Sequence, residues 1–196
     1  MLAAYRNGYF PMAVDGRINW FSPDARGILP LEQFRLPKRL QRLLRRGQFE
    51  VTINQSFRDV ISACAARPEE AGNWIDEEII ESYSALHEAG FAHSVEVWQD
   101  QRLVGGLYGV SLNAAFFGES MFHQVTDASK IALCALVHRL GERGYRLLDI
   151  QWLTPHLARF GAIEVTRRTY LKRLGEAMEV KCVFDHDRPP EPAIFP

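Results

Sequence analysis

The chain has 196 residues, 47% apolar and 24% charged, with a formal net charge of −1; this is ordinary for a soluble globular protein of one domain or two small ones, long enough to bury a real core. It has no run of about 18 apolar residues, which excludes a membrane-spanning helix, and its start lacks a basic stretch followed by an apolar one, so a cytoplasmic location without a secretory signal is expected. The near-zero charge leaves nucleic-acid binding open, and only the distribution of charge can decide it.

The first thirty residues are dense in aromatics and turns: Tyr5, Tyr9, Phe10-Pro11-Met12, a turn at Asp15-Gly16-Arg17, then Trp20-Phe21-Ser22-Pro23-Asp24. Such segments wrap a surface and anchor by burying rings. A short strand is predicted over residues 28–31. Pro37 suits a first helical position, and residues 38–46 predict a helix ended by Gly47. Leu40, Leu43 and Leu44 are its apolar stripe, while Lys38, Arg39, Arg42, Arg45 and Arg46 are five cations in nine residues with no acid among them. That pattern is either a solvated face or a phosphate-binding surface. Residues 49–53 alternate as a strand. Ser56 and Asp59 open a capping-box-like helix with Phe57, Val60, Ile61 and Cys64 inward. After a polar loop over residues 67–73, Asp76 caps a helix to about His87, with Ile79, Tyr83 and Leu86 inward and Gly90 as its stop.

Residues 93–151 carry the densest signal. Three segments, 93–98, 102–110 and 114–117, read as strands separated by turn-forming residues. Gly105, Gly106 and Gly109 interrupt the second, which marks a bulge or a close approach by another backbone or a ligand. Gly118-Glu119-Ser120-Met121-Phe122 then sets a carboxylate among apolar neighbours. Asp127 is placed to cap a helix over residues 128–140 that is apolar on nearly all sides and therefore buried. The next strand, residues 146–151, carries Asp149 and Gln151 two apart, so both are expected on one face. Beyond it come a helical turn at Thr154-Pro155-His156, a strand over 161–165, a helical turn over 169–174 and an extended tail over 187–192. Arg159, Arg167, Arg168, Lys172 and Arg173 make a second basic cluster. Cys64, Cys134 and Cys182 are odd in number and widely spaced, and buried reduced thiols are expected.

The chain has no G-x-x-x-x-G-K, G-x-G-x-x-G, H-E-x-x-H or C-x-x-C, no nucleophile elbow, and no metal-like spacing among its six histidines. Two readings stay open at this point: an acyl-transfer enzyme with a meander–helix–strand core, and a non-catalytic RNA-binding module working through its basic clusters. The strand–strand–strand–helix–strand order is similar to that of acetyltransferases that use coenzyme A. The strand-to-helix junction, residues 122–130, lacks the glycine turn by which those enzymes hold pyrophosphate, so the donor is expected to be something else.

The sequence resembles the leucyl/phenylalanyl-tRNA–protein transferases. The matching stretches are Gly8-Tyr9-Phe10-Pro11-Met12, Trp20-Phe21-Ser22-Pro23-Asp24, Trp74-Ile75, Ala92 to Trp98, Leu103 to Val110, Gly118-Glu119-Ser120-Met121-Phe122, Ser129-Lys130, Leu148-Asp149-Ile150-Gln151 and His156-Leu157, in order along nearly the whole chain. It departs from the family in lacking the extra N-terminal segment of longer members, and in Arg159-Phe160, where many members have a small residue and Leu. The resemblance implies an α+β (mixed α/β) fold, with an acetyltransferase-like C-terminal domain, set here at 63–196, and a smaller N-terminal domain, 1–62. It implies transfer of Leu or Phe, less readily Met, from aminoacyl-tRNA to an N-terminal Arg or Lys of acceptor proteins, an N-degron signal read by the Clp protease. No cofactor or metal is called for, and a monomer is expected.

Aminolysis of an aminoacyl ester starts from an activated donor, so the protein has to orient the reactants and take a proton from the incoming amine. Gln151 can accept a hydrogen bond from that amine, and a carboxylate behind it, Asp149, is a sensible companion. The resemblance assigns Asp149 and Gln151 as the catalytic pair, with Glu119 near the aminoacyl group. Leu107, Met121, Leu133, Leu136, Leu140 and Leu148 are candidates to line an apolar donor pocket. Trp20 and Trp74 are candidates to stack on the terminal adenosine, and Lys38, Arg39, Arg42, Arg45 and Arg46 to hold acceptor-stem phosphates.

Overall fold

A computed structural model describes residues 1–14, 17–66 and 74–185. The turn expected at Asp15-Gly16, the loop over residues 67–73 and the tail over 187–192 lie outside the described residues. In chain order the elements are α1 (Leu2–Arg6), β1 (Phe10–Val14), β2 (Arg17–Phe21), β3 (Ala25–Ile28), α2 (Lys38–Arg45), β4 (Glu50–Ile53), α3 (Phe57–Ala65), α4 (Glu77–Glu88), β5 (Ala92–Gln99), β6 (Arg102–Leu112), β7 (Ala115–His123), α5 (Ala128–Glu142), β8 (Leu147–Gln151), α6 (Pro155–Ala158), β9 (Ile163–Thr166) and α7 (Arg167–Met178).

β1 and β2 form a two-stranded ribbon, and the other seven strands form one mixed sheet in the order β4-β5-β6-β7-β8-β3-β9. Neighbours are antiparallel except β7 and β8, which run parallel. A parallel pair needs a crossover, and the buried helix α5 supplies it. The meander β5-β6-β7, the helix α5 and the strand β8 give the strand–strand–strand–helix–strand order expected from the sequence. One face of the sheet is covered by α1, α3, α4 and α7 around Tyr5, Phe57, Ile79, Tyr83, Tyr170 and Leu174. The other face carries α5, with Leu40 of α2 and Phe160 in the same apolar cluster. Phe160 stacks on Phe34 at 5.8 Å and is 2% exposed, so its ring fills core space.

Several local expectations are changed by tertiary contacts. The short strand predicted over 28–31 lies at Ala25–Ile28, where it gains partners on both edges, β8 and β9. The boundary placed between residues 62 and 63 falls inside α3, and strands from both sides of it, β3 and β4 with the rest, share the sheet. Ser56 makes no capping bond to the α3 backbone; its hydroxyl bonds Asp59 and its N–H turns to Glu96 at 3.4 Å. Asp127 precedes α5 in the left-handed region, φ 72°, and caps nothing, because Lys130 and Arg39 take its carboxylate. Asp76 does cap α4, accepting from the Ile79 N–H at 2.9 Å. Cys64 and Cys134 are buried and Cys182 is half-buried, and no disulfide joins any two of them. Burial pushes the Cys134 thiol up to about 12, which suits a core side chain and not a nucleophile.

Candidate active site

The third strand of the meander runs further than its apolar start suggests, through Gly118 to His123, because β6 offers it eleven residues of partner. The pairing carries one irregularity. Gly109 faces Gly118 and Tyr108 faces Ser120, so Glu119 is the extra residue of a β-bulge. A bulge re-aims the side chain it carries. The neighbouring Gly109 permits it, since a Cβ there would come within 2.2 Å of the Phe117 carbonyl oxygen. Parallel pairing of β7 with β8 ends at Phe117 and Asp149. Past that point the two strands open onto a pocket of about 330 Å³, at the small end of ligand sites (roughly 300–1,000 Å³). Gly118 to Met121 form one wall and Leu148, Ile150 and Gln151 the other. Leu107, Tyr108, Leu133, Leu136 and Trp74 complete an apolar interior, and Thr154, His156 and Leu157 stand at α6.

Glu119 enters this pocket held by two tyrosines. Tyr5 donates to Oε1 at 2.8 Å and Tyr83 to Oε2 at 3.0 Å, and the two hydroxyls touch each other. Burial raises the carboxyl to about 8, against the lowering effect of the tyrosine bonds. Both phenols are pushed well above their ordinary range, by burial first and then by the Glu119 charge, so they remain donors. A stability signature follows. From the ordinary value of 4.5 up to about 8 the folded protein holds a proton that the unfolded chain has released, so stability falls as pH rises through that window and levels off above it. Glu119→Gln, neutral throughout, lacks this decline. Denaturation of both proteins at about pH 5 and about pH 9 checks it: wild type should lose stability relative to the variant, and an unchanged gap would detach this proton from folding.

Asp149 and Gln151 do not share a face. Leu148 and Ile150 point into the pocket, and Asp149 lies on the opposite side of the sheet with Leu147 and Tyr170. Gln151 has φ 58°, which breaks the alternation and turns its side chain to the pocket side. Gly27 gives room for the return of the chain, since a Cβ there would meet the Trp152 carbonyl carbon at 2.7 Å. The Gln151 amide Nε2 is buried without a hydrogen-bond partner.

The Asp149 carboxylate is fully engaged. Arg26 grips it with Nε to Oδ1 at 2.9 Å and Nη2 to Oδ2 at 2.6 Å. Tyr170 donates to Oδ2 at 2.7 Å, and the Gln151 backbone N–H donates to Oδ1 at 2.9 Å. Arg26 is itself 1% exposed. It lies between the rings of Phe10 at 4.6 Å and Tyr170 at 4.4 Å, and donates to the Gly8 carbonyl at 3.1 Å. Burial alone would lower the guanidinium; the bonds and charge of Asp149 more than offset it and hold it above its ordinary value. Burial, then the Asp149 charge, push the Tyr170 hydroxyl far up. The result is a rigid N-terminal clamp on the strand end that presents Gln151.

Of the residues singled out from the sequence, Glu119, Gln151, Trp74, Leu107, Met121, Leu133, Leu136 and Leu148 come together around the pocket. Leu140 is buried in the core further along α5, Trp20 is an exposed residue of β2, and Asp149 acts from behind the strand. Lys38, Arg42, Arg45 and Arg46 are exposed on α2 and have no ion pair among the described residues, whereas Arg39 pairs with Asp127 at 3.1 Å. Arg26, Tyr5, Tyr83 and Tyr170 carry the site and were not singled out. Among the described residues no group of three His, Cys, Asp or Glu side chains is placed to hold a metal, and no helix is long and apolar enough to cross a membrane.

Comparison with known proteins finds relatives along nearly the whole chain. Residues 28–175 match the family described as leucyl/phenylalanyl-tRNA protein transferase, and residues 1–24 match that family's N-terminal domain. The leucyl/phenylalanyl-tRNA–protein transferase of Phenylobacterium zucineum is 52% identical over 94% of this chain and 85% of its own length. That of a Ruegeria species is 49% identical over 100% of this chain and 93% of its own. Among solved structures, a conserved Bacteroides thetaiotaomicron protein of unknown function shares the fold, with a TM-score of 0.50 at 11% identity over 81% of this chain and 59% of its own. An aminoglycoside acetyltransferase from a soil metagenome has a TM-score of 0.46 at 14% identity over 59% of this chain and 86% of its own. The chain belongs to the leucyl/phenylalanyl-tRNA–protein transferase family and is an aminoacyltransferase that uses aminoacyl-tRNA as donor and a protein as acceptor.

Proposed function

We propose that the chain, as a cytoplasmic monomer, moves Leu or Phe, and less readily Met, from aminoacyl-tRNA to an N-terminal Arg or Lys, marking the acceptor protein for degradation. The observation that carries this reading is the Gln151 side chain, whose Nε2 has no hydrogen-bond partner, lining an apolar pocket large enough for one side chain. The donor's side chain lies among Leu107, Met121, Leu133, Leu136 and Leu148, with Glu119 beside the aminoacyl group. The acceptor's α-amine attacks the ester carbonyl; a C–N bond forms, the bond to the ribose 3′-oxygen breaks, and the amine's proton ends on that oxygen. Gln151 accepts a hydrogen bond from the amine and orients it. Asp149 acts through the Gln151 N–H and does not touch substrate. The aromatic-rich segment and basic helix within residues 1–62 face the tRNA.

Incubating the protein with Phe-tRNA and two peptides, one beginning with Arg and one with Ala, tests the reading. Transfer to the Arg peptide alone supports it; tight tRNA binding with no transfer to either peptide would leave a binding module. Two further results are expected. Leu136→Trp narrows the pocket and should reduce Phe transfer more than Leu transfer, by a margin of about 1–3 kcal/mol in kcat/KM; equal losses would remove Leu136 from the donor pocket. Replacing Arg42, Arg45 and Arg46 by Ala should weaken tRNA binding and lower its salt slope by about 0.9 for each phosphate no longer neutralised. An unchanged slope would make α2 a solvated face.

A further inference from the structure

Side chains from four elements converge beside the pocket, outside the donor and acceptor contacts already assigned. Arg39 from α2 and Lys130 from α5 both bond Asp127, the first at 3.1 Å. His123, at the end of β7, approaches the Ser129 hydroxyl at 3.5 Å. His156 of α6 is a pocket residue. Its ring is held below its ordinary value, by burial first and then by the charges of Lys130, Arg159 and His123, with Asp127 opposing. Three permanent cations, Arg39, Lys130 and Arg159, stand against one carboxylate. That carboxylate is 7% exposed and already engaged twice. The cluster therefore keeps an uncompensated positive charge at the mouth of an otherwise apolar site, an arrangement suited to an anion.

Its position relative to the pocket is set by helix geometry. Lys130 lies three residues before Leu133, so the two are neighbours on one face of α5, about 4.5 Å apart along the axis. A group held against Leu133 and Leu136 has Lys130 and His156 beside whatever it is attached to. We propose that Lys130, His123, His156 and Arg159 form a cationic seat for the phosphodiester that joins the last two nucleotides of the aminoacyl-tRNA. The inference rests on the function proposed above and adds a ligand contact to it. The Arg39–Asp127 bond links the seat to α2, the helix whose cations are assigned to the stem phosphates. In the seat, Lys130 and Arg159 donate to the phosphate oxygens. His156, neutral among cations, takes up a proton when the anion neutralises its neighbours.

The test uses a donor analogue that cannot react: phenylalanine joined by an amide to 3′-amino-3′-deoxyadenosine, with and without a 5′-phosphate. Wild-type protein should bind the phosphorylated form at least about tenfold more tightly, as a charge-assisted contact predicts. Lys130→Gln and Arg159→Gln should each erase much of that gain while leaving the affinity for the unphosphorylated analogue unchanged. Lys130→Arg should retain it. A phosphate that adds nothing to binding by the wild-type protein overturns the seat. So do variants that weaken both analogues equally, since Lys130 would then support the pocket only through Asp127. If neither analogue binds, the reading of the pocket as the aminoacyl site fails, and the seat with it.

Discussion

Asp149→Ala should lose about 3–5 kcal/mol of folding stability, because it leaves the Arg26 guanidinium buried without its partner. Asp149→Asn should also be destabilised. Its Oδ1 can still accept from the Gln151 N–H, but its amide NH₂ would face the Nη2 of Arg26, donor against donor. Loss of activity in either single variant would thus mix misfolding with chemistry. The double replacement Arg26→Met and Asp149→Leu separates them. Exchanging a buried ion pair for apolar side chains of similar size is often neutral or stabilising, so the double variant should recover most of the stability lost by the single ones, measured by urea denaturation. It should not recover kcat, because the Gln151 N–H still has no acceptor and the left-handed turn that aims the amide is no longer held. KM for aminoacyl-tRNA should change little, since Arg26 and Asp149 lie behind the strand, away from the pocket wall. A stable double variant with near wild-type kcat would reduce Asp149 to a structural role.

The central meander, α5 and β8 are legible in the sequence because their signals are local: period-two alternation, turn residues between strands, and a continuous apolar run flanked by polar groups. The basic helix is legible from composition alone, although what its cations bind is not. β3 is hard to read, since Ala25-Arg26-Gly27-Ile28 has no apolar alternation and its most important residue is a cation. Arg26 is buried because Asp149, 123 positions away, neutralises it; no window of sequence contains both. Tyr5 and Tyr83 look like ordinary aromatic core residues until the fold brings both hydroxyls to one carboxylate. The bulge at Glu119 is a matter of register between two strands, and period two along one strand cannot show it. The same is true of Gln151. Spacing puts it on the face of Asp149, and a single positive φ, stabilised by a side chain two residues back, puts it on the other. The sequence singles out the two residues, while their geometry depends on a turn that spacing does not show.

Gln151→Gly should be more stable than wild type and nearly inactive. A residue other than glycine at φ 58° stores about 1–3 kcal/mol of backbone strain. Glycine adopts that conformation freely, at the cost of more unfolded-state entropy, so a net gain of up to about 1 kcal/mol is expected. The buried amide without a partner adds to the gain when it is removed. Activity should move the other way. A group that positions and hydrogen-bonds the attacking amine contributes to the transition state and little to tRNA binding, so kcat should fall by about 10²–10⁴-fold with tRNA affinity nearly intact. Gln151→Glu distinguishes what the side chain supplies. If the amide acts by accepting a hydrogen bond, the carboxylate does so as well, and Gln151→Glu should keep more activity than Gln151→Gly. If the amide's N–H₂ is what matters, as a donor to the carbonyl oxygen on which charge develops, the carboxylate repels that charge and the Glu variant should be the worse of the two. Single-turnover transfer from Phe-tRNA to an Arg peptide, measured alongside urea denaturation, reads both quantities. A Gly variant that is both less stable and fully active would mean that the left-handed turn, and not the amide, is what the fold preserves at Gln151.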